Sequence, residues 1–280
     1  MKHVLWTAVA FTISFSTIAA RSQSTYAPQE PQSPAASPAE QAPPSEVLDQ
    51  TPQQIEETRA KILIAEKRYD EAIKAYDQLL IEQPNNARFA NMLGVAYQQV
   101  GELGKARKAY QRATRLDPTF ADSYNNMGTT WYQEKNYRKA ARMYLKALKV
   151  DPTLAPAYAN LGFSYFSDRK YPEAIDAFNR ALSLDPTVLD VGGRGGSVLQ
   201  DHSVSDHGMF YFLLAKTFAE RGDAAICAED LLKALDEGYR DIAKVKTDPS
   251  FAKVIADPGV QAILQRATSD ANRPAGAPGS

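Results

Sequence analysis

The side chains able to do chemistry are few, and their spacing argues against most of the chemistry they suggest. His202 and His207, each preceded by an aspartate (Asp201 and Asp206), carry metal-ligating groups. Residues five apart do not share a helical face, and no cysteine or further histidine joins them, so no metal site is expected. A glycine cluster at residues 190–197 suggests a phosphate loop, but it lacks the Lys-Ser/Thr ending and the preceding strand that such a loop needs. Cys227 is the only cysteine. It cannot form an intramolecular disulfide, and a buried thiol is the expected role. No catalytic constellation and no cofactor site is expected. Amide chemistry remains. Asn126 and Asn160 each stand directly before an apolar residue and a glycine, Met127-Gly128 and Leu161-Gly162. A carboxamide donates and accepts, so this pair suits the main chain of an extended segment. The competing use is a bond to the neighbouring helix.

The elements that must position these amides are written in the repeats. Pro84, Pro118, Pro152 and Pro186 recur every 34 residues. Leu93, Met127 and Leu161 form one column, and Gly94, Gly128 and Gly162 the next. Tyr97, Trp131 and Tyr165 follow, then Ala72, Ala106, Ala140 and Ala174, then Tyr76, Tyr110, Tyr144 and Phe178. A period of this length with these columns indicates helix–turn–helix units stacked in a solenoid. Glycine in a helix interior costs about 1 kcal/mol against alanine, so three in one column require close helix approach. The small residues Ala106, Ala140 and Ala174 are the expected other side. Asp-Pro-Thr at 117–119, 151–153 and 185–187 ends the second helix of a unit, because a residue before proline leaves the α region. Thr119 and Thr153 are then expected to cap the following helix.

These columns resemble the tetratricopeptide repeat family. Four units fit, at residues 53–86, 87–120, 121–154 and 155–188. The first is degenerate, with Arg59, Ala60 and Leu63 where Leu, Gly and Tyr would stand. A divergent fifth unit spans 208–241, after a glycine-rich insert at 189–207. Asp248-Pro249 and Asp257-Pro258 predict two short capping helices within 242–267, which resembles a C-terminal extension of bacterial relatives. The resemblance implies an all-α superhelical solenoid of antiparallel helix pairs with a helical cap. It also implies that first helices line a concave groove. The residues expected there are Arg88, Asn91 and Gln98, then Asn125, Asn126, Thr129 and Tyr132, then Asn160, Phe163 and Phe166, and Lys216. Asn126 and Asn160 resemble the asparagine ladder of O-linked N-acetylglucosamine transferase, where such amides bind a peptide main chain. The carboxylate clamp of chaperone-binding relatives is missing, since Asn125, Thr129, Asn160, Met209 and Leu213 occupy its places.

A net charge of −1 argues against a nucleic-acid partner. A basic run along the second helices of units two and three, including Lys108, Arg115, Arg138, Lys139, Arg142 and Lys146, would then face convex solvent. Residues 1–20 read as an export signal: a basic start, an apolar stretch from Val4 to Ile18, and small residues at Ala19 and Ala20. Residues 21–52 are rich in Pro, Ala, Ser and Gln and are expected to form a disordered linker, as is the tail at 268–280. The expectation is a non-enzymatic, exported adaptor, periplasmic or secreted, that binds a protein or peptide segment. No small-molecule substrate is expected, and membrane contact only through an uncleaved leader. The alternative is a cell-envelope assembly or tethering component that binds through its basic convex face or its insert.

Overall fold

The computed structural model describes residues 51–189 and 206–271. The signal, most of the linker and insert, and the last part of the tail lie outside the described residues. All described elements are helical. Five antiparallel pairs follow in order: α1 (Pro52–Ala65) with α2 (Tyr69–Glu82), α3 (Ala87–Gln99) with α4 (Leu103–Leu116), α5 (Ala121–Gln133) with α6 (Tyr137–Val150), α7 (Ala155–Ser167) with α8 (Tyr171–Leu184), and α9 (His207–Arg221) with α10 (Ala224–Asp236). Two 3-10 turns, Asp241–Lys246 and Pro249–Phe251, lead to α11 (Pro258–Ala271). Each helix packs on its pair partner, and the second helix of each pair packs on the first helix of the next, which is the contact pattern of a solenoid.

The glycine columns do mark close approach, but against rings rather than alanines. A Cβ on Gly94 would stand 2.5 Å from the Tyr110 ring, one on Gly128 2.5 Å from Tyr144, and one on Gly162 2.6 Å from Phe178. The flat ring lies across the bare backbone, and Tyr110, Tyr144 and Phe178 are fully buried as a result. Aromatics on the second helix thus fill their own unit. Thr119 and Thr153 do not cap the next helix as expected. Their hydroxyls donate back to Asp117 and Asp151 at 2.6 and 2.7 Å, closing the Asp-Pro-Thr turn, and α5 and α7 begin without a side-chain cap. Asp206 does cap α9, accepting from the Met209 amide at 2.9 Å.

The turns inside units place one residue in the left-handed region: Lys67, Gly101, Lys135, Arg169 and Gly222. Behind the fifth pair, Ile242, Val245, Phe251, Val254, Val260 and Leu264 cover the apolar face of α9 and α10. That end of the solenoid is capped. Cys227 is buried there, and desolvation pushes its thiol up to about 12, so it stays protonated and inert.

Candidate functional site

Bonds between successive first helices run from residue i to i+35. Asn126 Nδ2 donates to Asn91 Oδ1 at 3.2 Å, Asn160 Nδ2 to Asn125 Oδ1 at 3.0 Å, and the Tyr132 hydroxyl pairs with Ser167 at 2.8 Å. Ser123 adds a second donor to Asn91 Oδ1 at 3.0 Å. First helices α3, α5 and α7 are thereby stitched side by side into one wall.

This register corrects the expected exposure of the groove residues. Asn91, Asn125, Asn126 and Asn160 are buried, with Asn160 at 0% exposure, because they face the adjacent first helix. The amides serve the wall itself. Tyr132, Phe163 and Phe166 are buried as well. Tyr132 packs on Tyr137, Phe163 stacks on Phe210, and Phe166 meets Tyr171 and Phe210 edgewise or tilted. Gln98 and Thr129 are half-buried and accept from Tyr110 and Tyr144 at 2.8 and 3.3 Å. Lys216 donates to Asp248 at 2.9 Å and ties α9 to the second 3-10 turn. Of the expected set, Arg88 alone is exposed.

Three of those residues, Arg88, Asn91 and Asn126, come together in a cavity of about 400 Å³ between α1, α3 and α5. Glu57, Lys61, Tyr76, Phe89, Met92, Val95, Phe120 and Asp122 complete its lining. Glu57, Lys61 and Tyr76 were not expected there, because the first unit lacks the signature of its first helix. The charges balance, two basic and two acidic, and Lys61 is paired with Glu57 at 2.6 Å. Met92, Val95 and Phe120 give a half-buried apolar floor. Tyr76 is fully buried, and its hydroxyl has no hydrogen-bond partner among the described residues. Burial, then the nearby Glu57 charge, pushes that hydroxyl up to about 12, so it stays neutral. A second cavity of about 380 Å³ lies between α8, α9 and the first 3-10 turn, lined by Tyr171, Ile175, Met209, Phe212, Lys216 and Tyr239 among others.

Models of the tetratricopeptide repeat match residues 58–119, 121–154 and 155–188. This is a tetratricopeptide repeat protein. The family and fold are those of protein-interaction adaptors, which are not typically enzymes. No curated protein matches the chain. Among solved structures, a crystal structure of MamA is 21% identical, covering 66% of this chain and 96% of that one at a TM-score of 0.45. MamA 41-end from Desulfovibrio magneticus RS-1 is 17% identical over 67% of this chain and 96% of that one, with a TM-score of 0.47. The first tetratricopeptide domain of Spaghetti (RPAP3), bound to HSP90 peptide SRMEEVD, is 23% identical over 36% of this chain and 79% of that one, at 0.35. Among the described residues of the present tetratricopeptide protein, no three His, Cys, Asp or Glu side chains are grouped to hold a metal ion.

Proposed function

We propose that this protein is an exported adaptor that holds an extended polypeptide segment in the cleft between α1, α3 and α5. The observation that carries the reading is the composition of that cleft. Its lining joins amides, balanced charges and an apolar floor, a mixture that suits a polypeptide with its alternating amide groups and side chains. Asn91 and Asn126 bond each other and also line the cleft, whereas Asn160 does not line it and donates to Asn125 within the wall, so Asn160 belongs to the scaffold rather than to the contact surface. The export half of the proposal rests on the leader sequence at residues 1–20.

A photo-crosslinking residue at Val95, inside the cleft, tests the first half in the native source. The expected product is the adaptor joined to another polypeptide. Crosslinks formed only from position 149, on the opposite helix row, would transfer the function to the second reading. That reading has its own observation: α4 and α6 each carry five Lys or Arg and no Asp or Glu. Lys108, Arg115, Arg142, Lys146 and Lys149 make no ion pair among the described residues, and Leu145 is exposed between them. Cell fractionation with N-terminal sequencing tests export. A full-length chain recovered only from the cytoplasm would refute it.

A further inference from the structure

We propose that the outer face of α4 and α6 docks on an anionic phospholipid bilayer, with headgroup phosphates on six aligned cations and Leu145 in the interfacial layer. The inference is independent of the cleft and names a partner for the second-helix row.

The repeat builds this surface. Each of the two helices carries five Lys or Arg and no Asp or Glu. Four of these cations are already engaged. Lys105 pairs with Glu102 at 3.5 Å, Arg107 with Glu134 at 2.8 Å and Arg138 with Asp168 at 3.3 Å, while Lys139 lies 4.3 Å over the Trp131 ring. The six that remain are in register. Lys108, Arg112 and Arg115 share one side of α4, and Arg142, Lys146 and Lys149 stand 34 residues on in α6. Spacings of four and three residues keep each trio on one helical face, over a length of about 10 Å. Arg107 reaches the same Trp131 ring from α4 at 4.2 Å, so the two helices run side by side across α5. None of the six makes an ion pair among the described residues. Five are exposed, and the sixth, Arg112, is half-buried and donates to the Pro84 carbonyl at 2.6 Å.

The grid ends sharply on both sides. The same positions hold Lys74, Gln78 and Ile81 in α2, and Asp176, Arg180 and Ser183 in α8. Around them α2 carries Asp70, Glu71, Asp77 and Glu82, and α8 carries Glu173. Like charges this close repel one another, and an anionic surface relieves that repulsion. Two features select a bilayer over an acidic polypeptide. The second helices lie away from the first-helix wall, on the convex side of the solenoid. A flat partner there touches two neighbouring ridges, whereas a polypeptide wrapped across the row would meet the carboxylates of α2 and α8. Leu145 is 47% exposed among Arg142, Lys146 and Lys149. A bilayer interface takes an apolar side chain and its cationic neighbours together.

Vesicle sedimentation of the full chain tests the proposal, on phosphatidylcholine alone and with about one-third phosphatidylglycerol, at about 0.1 M salt. Tighter binding to the anionic vesicles is expected. The leader is common to all variants, so differences between them report on the grid. Each cation at an anionic surface is worth about fivefold in affinity, so Arg142→Gln with Lys146→Gln should weaken anionic binding roughly twenty- to thirtyfold. Lys74→Gln with Arg180→Gln removes the same charge from the flanking helices and should weaken it less than about threefold, since the contribution fades beyond a Debye length. A polarity-sensitive fluorophore on Leu145→Cys should shift to the blue on anionic vesicles. Equal binding to both vesicles, equal losses in the two double variants, or no shift at position 145 would each overturn the inference. Capture of soluble poly-glutamate without vesicle binding would overturn it in favour of an acidic polypeptide. None of these outcomes bears on the cleft, whose crosslink at position 95 is read separately.

Discussion

Alanine substitution at two glycines should move stability in opposite directions. Gly128 lies in the interior of α5, and a Cβ there would stand 2.5, 2.7 and 2.9 Å from three atoms of the Tyr144 ring. Ordinary carbon contacts lie at about 3.5–4.0 Å, so the methyl group intrudes by roughly 1 Å. The ring has nowhere to go, being fully buried with its hydroxyl on Thr129. Overpacking of this kind costs about 1–3 kcal/mol, while replacing a helical glycine by alanine returns about 1 kcal/mol. With three ring atoms inside contact distance, the cost lies toward the upper end and Gly128→Ala should destabilise by about 1–2 kcal/mol. Gly104, in the first turn of α4, has nothing within 4 Å of a built Cβ. Gly104→Ala should therefore keep the propensity gain, about 0.5–1 kcal/mol. Urea unfolding followed by far-UV circular dichroism measures both. Gly128→Ala unfolding at the same or a higher midpoint than Gly104→Ala would refute the claim that the glycine column exists to admit the ring.

Asn160→Ala strips the buried Asn125 Oδ1 of its donor and should cost about 1–3 kcal/mol of stability in the same urea assay. Lys135 sits in the left-handed region at φ 57°, where Gly101 and Gly222 stand in other units, so Lys135→Gly should raise the unfolding midpoint by about 0.5–1 kcal/mol. Asp230 is buried on α10, and burial followed by the Glu229 charge raises its carboxyl to about 7, although Lys233 opposes this. A carboxyl raised on folding binds its proton more tightly in the native state, so its native-state cost is absent below about pH 4 and grows as pH rises to about 7. Asp230→Asn should therefore exceed the wild type in stability at pH 8, by up to about 4 kcal/mol, and lose that advantage near pH 4. Paired urea titrations at the two pH values would show it.

The sequence was most readable where physics repeats. The proline period, the glycine column and the turn residues marked where helices pair, because backbone constraints act locally and recur in every unit. It was less readable where a contact depends on the offset between neighbours. The glycine column announced a close approach without naming its partner, since Ala106 and Tyr110 share one helix and only the packing angle decides which faces Gly94. The same offset hid the role of the amides. Asn126 and Asn160 sit where a groove residue could sit, yet the i to i+35 register turns them onto Asn91 and Asn125. Double substitution of these asparagines would thus damage the scaffold and the contact surface together. Tyr76 was visible as a core column member, but the absence of its partner emerges only when Ile64 and Lys61 are set against Gln98 and Thr129.

A solenoid of near-identical units has a difficulty of specificity, since every unit offers the same surface. Here the two ends of the first-helix wall differ in how far their polar groups are already matched. Toward the C-terminus, Asn125 meets Asn160, Tyr132 meets Ser167, Lys216 meets Asp248, and Phe163, Phe166 and Phe210 fill the space between α7 and α9. These paired groups have little left to offer a guest, because a new contact with them must first break an internal one. At the N-terminal end the degenerate unit removes the internal partner of Tyr76 and leaves a cavity beside it. Departure from the repeat costs stability there, as any unsatisfied buried hydroxyl does. The same departure leaves the cleft between α1, α3 and α5, where the proposed guest segment would lie. On the proposed adaptor function, recognition would fall to the unit that fits its family pattern least.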